Sequence, residues 1–155
     1  MNFSEHTIEQ LARTIHAAYL TKTPAPDIAS HPSAVPWDAL SDEFKNSNRA
    51  QARDIGEKLE ALGLAVDSGD SPHPTVERFD EAITLLLARH EHRRWMREKL
   101  ANGWTYAPVR DNGKRHHPML VPYDDLPPDE QQKDINVVNN IIPLLKKIGL
   151  RVYRP

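Results

Sequence analysis

Cysteine is absent from the 155-residue sequence. That excludes disulfide scaffolds, thiolate zinc sites and cysteine nucleophiles. Long hydrophobic runs are missing too: Leu85, Leu86 and Leu87 form the longest aliphatic stretch, far short of a membrane span. The opening residues, Met1 to His6, have neither the basic start nor the apolar stretch of a secretion signal, so a cytoplasmic protein is expected. There is no G-x-S-x-G elbow, no phosphate-binding Walker loop and no dinucleotide fingerprint. No enzymatic activity and no cofactor are therefore expected. A large net charge is lacking as well. The formal value of −2 argues against general nucleic-acid binding, which rests on neutralising phosphates.

What is present is length enough for a core. A chain of this size buries roughly 70% of its unfolded surface without help from metals or disulfides. Its charge is unevenly spread. Arg89 to His117 holds eight basic residues against three acidic ones, a local surplus of +5 in a chain of net −2. Such a run reads either as a solvated helix face leading into a basic loop or as a small anion site in an otherwise acidic protein.

The two halves resemble each other. His31-Pro32-Ser33-Ala34-Val35-Pro36-Trp37-Asp38-Ala39-Leu40 aligns with His117-Pro118-Met119-Leu120-Val121-Pro122-Tyr123-Asp124-Asp125-Leu126, with six identities in ten positions. The same 86-residue offset continues through Ile55/Ile141, Leu59/Leu145, Gly63/Gly149 and Val66/Val152, giving 11 identities in 36 positions. Upstream, Leu11 to Tyr19 aligns with Leu87 to Trp95 at an offset of 76. The pattern predicts one domain over 1–155, built from two repeats at about 4–68 and 74–155 and related by a pseudo-twofold axis.

Each repeat reads as helix, extended loop, helix. Ile8, Leu11, Ile15 and Tyr19 recur at helical spacing, placing a helix from Ser4 or Thr7 to Leu20, with Thr7 and Gln10 at capping-box spacing. A second helix starts at Ser41, a favourable N-cap, and stops before Gly63. Asp67 to Pro74 is a linker. The third helix is expected from Thr75 to about Ala101, and the fourth after Pro127-Pro128, with a break near Ile141 because Pro143 interrupts its period. Short strands are expected at 64–66 and 150–153. Asn112-Gly113 is a strong hairpin-turn signal, so Trp104 to Lys114 reads as a β-hairpin with Trp104 and Tyr106 on the same side. The expected fold class is mainly α, with one hairpin and minor strands.

Three stretches carry a family resemblance: Glu91-His92-Arg93-Arg94-Trp95, then Gly103-Trp104-Thr105-Tyr106-Ala107-Pro108-Val109-Arg110-Asp111, then Lys114-Arg115-His116-His117-Pro118-Met119-Leu120-Val121-Pro122-Tyr123. In this order and spacing they resemble the RyR domain, the ryanodine receptor repeat, in its stand-alone bacterial or phage form. The resemblance spans Leu87 to Tyr153 and, more weakly, Leu11 to Val66. Ala107 stands where the family usually has glycine, and Glu91-His92 inverts the usual order. The resemblance implies a paired-repeat domain whose inter-repeat cleft takes an adenine-type nucleotide, with Trp95 and its counterpart Tyr19 as the stacking rings. It supplies no catalytic residues.

The residues themselves leave two readings open. Tyr19 and Trp95 are either core aromatics on helix stripes or opposite walls of a cleft, where stacking contributes roughly 1–3 kcal/mol per ring by analogy with bases on aromatics. Arg94 and Arg97 could grip phosphate bidentately, joined by Arg110, Lys114 and Arg115. Trp104 and Tyr106 either anchor the hairpin or line the cleft. His16, His92, His31 and His117 read as structural hydrogen-bonders. His90, His92, His116 and His117 match no zinc-ligand spacing, so no metal is expected. Asp38 and Asp124 read as turn residues. The functional expectation is a small-molecule-binding module for an adenine-containing or related signalling nucleotide, acting as sensor or sink in a bacterial cell or, if phage-encoded, in the host cytoplasm. The alternative is a module that docks an acidic protein through the basic 89–117 segment. An uncharacterised nucleotide-processing enzyme ranks last.

Overall fold

The computed structural model describes residues 2–22 and 32–155. These residues are mainly helical, with four very short strands, and they form two compact units. One comprises the described residues within 1–77 together with 142–155, the other 78–141. Among the described residues, no helix is long and apolar enough to cross a membrane.

In the first unit, α1 (Glu5–Lys22) packs against α2 (Asp42–Ala61). Ser4 caps α1, its hydroxyl accepting from the Thr7 N–H at 3.1 Å. Thr7 is thus already inside the helix, and the expected Thr7/Gln10 capping box does not begin it. The predicted stripe is the buried one: Ile8, Leu11 and Ile15 face inward, while Tyr19 at its end is exposed. Ser41 caps α2 through Phe44. On its buried face, one turn apart, Lys58 is ion-paired with Asp54, a burial the apolar pattern did not signal. Arg49 adds a fork onto Glu9 at 2.8 and 3.1 Å, tying α2 to α1.

The strands β1 (Ala65–Asp67) and β4 (Arg151–Tyr153) pair antiparallel, with Val66 opposite Val152. Arg151 fastens the predicted linker to this ribbon. Its guanidinium donates to the Asp67 carboxylate, to the Ser71 and His73 carbonyls and to Thr75 Oγ1. Asp67 in turn accepts from the Gly69 and Ser71 N–H groups. The Arg151 hydrogen bond and those two backbone donors pull its pKa down to about 2, against the opposing effect of burial.

In the second unit, α3 (Glu81–Ala101) packs against α4 (Pro128–Asn139). The third helix starts six residues later than predicted. Asp80 caps it, accepting from Ile83 N–H at 2.8 Å, whereas Thr75 and Val76 are extended and pair with Tyr153 and Val152. A carboxylate facing the helix N-terminus outcompetes the upstream threonine as a start. The break predicted near Ile141 falls at Asn140. It separates α4 from α5 (Ile141–Lys147), where Pro143 sits in the first turn and needs no N–H partner.

The predicted β-hairpin is corrected. The two-residue strands β2 (Thr105–Tyr106) and β3 (His116–His117) run parallel, Thr105 opposite His116. Between them the chain bends at Pro108-Val109 and turns again at Asn112–Arg115, closed by paired hydrogen bonds between Asp111 and His116. Two reversals restore the original direction. The Asn112-Gly113 signal therefore marks a real turn, but only the inner one. Arg115 takes the positive φ of 56° that closes it.

Candidate functional site

The candidate site lies in the second unit, where the end of α3 meets the 103–117 loop. Gly103 sets its geometry. With φ at 83° it closes α3 in a Schellman motif: its N–H donates to the Leu100 carbonyl and the Trp104 N–H to that of Lys99. This motif brings together the side chains just past the helix end and one turn before it. Accordingly, the Lys99 ammonium lies 4.9 Å from the Trp104 ring centroid, a cation–π distance. Trp104 is a helix-closing residue and not a strand residue. It is half-buried, while Tyr106 is 57% exposed.

His117 sits between the two tryptophans. Trp95 meets it edge-on at 4.9 Å between centroids, and Trp104 does so at 6.0 Å. Its Nδ1 accepts the Met119 N–H at 3.1 Å. A nitrogen that accepts carries no proton, so the ring is neutral with hydrogen on Nε2. Burial, then the positive charges of Arg110 and Lys99, push its pKa down to about 4. His117 fastens its loop as expected; His31 lies outside the described residues.

Trp95 also stacks on His92, 5.5 Å away with planes 22° apart. His92 is buried and held at both nitrogens: Nε2 donates to the Val121 carbonyl at 2.7 Å, and Nδ1 faces Asp134 at 3.3 Å. Burial alone would lower its pKa, but the Asp134 carboxylate, the Val121 carbonyl and the Glu91 charge together raise it. Tyr123 meets the same ring edge-on and carries Arg89 over its face at 5.2 Å. Arg89 also reaches Asp124 at 2.7 Å, which stands in the 3-10 turn Tyr123–Asp125. Trp95 is thus fixed by a histidine that cannot itself turn.

The predicted cations separate into two groups. Arg94 turns onto its own helix, forking onto Glu91 and reaching Glu98 at 2.8 Å, with its side chain only 13% exposed. Burial opposes its charge, but these two carboxylates raise its pKa overall. Arg115 donates to the Asn102 carbonyl at 2.7 Å, closing the C-terminus of α3 where positive charge complements the helix dipole. Arg97, Arg110 and Lys114 are exposed, and Arg110 donates to the Asn112 side chain.

Tyr19 belongs to the first unit. There it stacks on His16 at 6.0 Å, and its hydroxyl lies 3.0 Å from Ser33 Oγ. His16 Nε2 donates to the Val35 carbonyl at 2.6 Å, the same bond that His92 makes with Val121.

Two participants escaped sequence reasoning, Lys99 and the bridging role of His117. The first had a readable signal: Lys99 stands four residues before Gly103, the position a Schellman closure turns towards the residue after the glycine. The second depends on where the loop returns, which spacing does not encode.

The glycine-closed helix, the tryptophan after it, and the His-Pro turn leading to Tyr123 are the geometry behind the three quoted stretches. The family model for the RyR domain matches residues 70–154, the span that contains all of them. The chain belongs to the RyR domain family.

Proposed function

We propose that this protein is a small-molecule-binding module for an adenine-containing or related signalling nucleotide, acting as a sensor or a sink. The observation that carries the reading is the support of Trp95. A half-buried indole stacked on a doubly held histidine is a preorganised platform, so little ordering cost falls on a base that stacks against it. Positive charge from Lys99, Arg97 and Arg110 on the same helix end and loop suits a phosphorylated ligand. Arg94 has no part in the site, because its guanidinium is committed to two carboxylates.

Thermal shift against ATP, ADP-ribose and cyclic nucleotides tests the reading. A ligand at one hundred times its Kd adds about 2.7 kcal/mol, which raises Tm by roughly 5–10 °C in a chain of this length. Trp95→Ala should abolish that shift. No shift with any of the panel, or an equal shift in Trp95→Ala, would contradict it.

A second reading is an acidic-partner docking module. The exposure of Arg93, Arg97, Arg110 and Lys114 favours it. Capture of an acidic protein that is lost in Arg97→Glu and Arg110→Glu yet indifferent to nucleotides would establish it over the first.

We also read the two halves as copies of one unit. Recurring local geometry supports this: the His16 and His92 bonds to valine carbonyls, the 3-10 turns Trp37–Ala39 and Tyr123–Asp125, and matching closures at Gly63 and Gly149.

A further inference from the structure

Trp104 carries an unmet demand. Its Nε1–H is buried and has no hydrogen-bond partner among the described residues. Leaving a buried donor unpaired costs about 1–3 kcal/mol, so such groups call for an explanation. The ring against it makes the imbalance larger. His117 uses Nδ1 to accept from Met119, which leaves Nε2 as a second donor. Lys99 lies over the Trp104 ring and Arg110 is near enough to act on His117. The local chemistry therefore includes two neutral N–H donors and a majority of positive charge, Lys99, Arg110 and Lys133 against the Glu130 carboxylate. Trp95, Trp104 and His117 are each partly exposed, so the cluster borders solvent.

We propose that the Trp104–His117 pair binds an oxyanion of the phosphate type, held by the indole Nε1–H and the imidazole Nε2–H, with Lys99 and Arg110 supplying charge. Two neutral donors make oriented hydrogen bonds, which take on the strength of charge-assisted ones when the acceptor is an anion. The flanking cations draw the anion in. This deepens the reading above: if Trp95 is the platform for a base, the adjoining donor pair receives the ligand's phosphate. It rests on that reading only for the source of the phosphate.

The test is ¹H–¹⁵N NMR of the three indole N–H groups in the full chain, with Trp37→Phe and Trp104→Phe variants assigning the peaks. Inorganic phosphate, ADP and adenosine are titrated separately, with sodium chloride matched for ionic strength. Phosphate and ADP should each move the Trp104 indole proton downfield in a saturable way, with chloride having no such effect. Trp104→Phe, which keeps an aromatic ring and removes the donor, should weaken ADP binding about tenfold or more while leaving adenosine within about twofold. If ADP moves Trp95 but never Trp104, this proposal fails and the nucleotide reading stands. If phosphate moves Trp104 while neither adenosine nor ADP perturbs Trp95, the oxyanion site stands and the nucleotide reading fails. An equal response to chloride would overturn the oxyanion site.

Discussion

At the scale of single residues, the second unit depends on buried charges that are internally satisfied. Glu91, 3% exposed, takes the fork of Arg94. Removing one partner of such a pair leaves the other uncompensated, so Glu91→Ala should destabilise the protein by about 3–5 kcal/mol in urea unfolding. The two histidines of the site give opposite pH dependences. His92 has its pKa raised above 6.5 in the folded state. Its contribution is complete below about 6.5 and is lost as pH rises through the raised folded value. His117 has its pKa lowered from 6.5 to about 4. Its contribution is complete above 6.5 and is lost as pH falls from there towards 4. Stability measured from pH 4 to 8 should thus lose its acid-side decline in His117→Gln and its alkaline-side decline in His92→Gln. Arg94 has its partners written into its own helix. Glu91 and Glu98, three residues before it and four after, were visible as helix-neighbour partners, and they compete with any phosphate. Trp95 and Trp104 were legible as site aromatics, whereas Trp104's unmet donor required coordinates.

At the scale of elements, helix ends are legible in the sequence and start points less so. Ser41, Pro128 and the glycines after α2, α3 and α5 mark ends that local chemistry alone dictates. The start of α3 is not legible because Thr75 and Val76 are claimed by β4, whose pairing residues stand 78 and 76 positions away, beyond what periodicity can sense. The path of the 103–117 loop escapes local signals for a similar reason. Asn112-Gly113 specifies a tight turn but not the second bend at Pro108, and together the two make the strands parallel. Gly103→Ala forces a β-carbon into positive φ and should cost about 1–2 kcal/mol. It should also tilt Trp104 away from Lys99, since the closure that opposes them would loosen. Urea unfolding reads the first effect and the Trp104 indole resonance the second.

At the scale of the whole molecule, the described chain divides into two units that do not follow the halves of the sequence, since most of α5 and all of β4 belong with the N-terminal segment. Arg151 and Asp67 fasten that return, 84 residues apart in sequence. Arg151→Ala should therefore raise amide exchange at Ser71 and Val76 while leaving α3 and α4 protected. The positive surplus of 89–117 was legible from composition. Its subdivision into structural cations, Arg94 and Arg115, and outward ones, Arg97, Arg110 and Lys114, was not. The most direct measurement of the binding function is nucleotide titration followed at the three indole N–H resonances. With ATP, ADP-ribose or a cyclic nucleotide, the expected result is a saturable ring-current shift of Trp95, a silent Trp37, and loss of binding in Trp95→Ala. A full panel that moves no indole, or moves Trp37 alone, would contradict it.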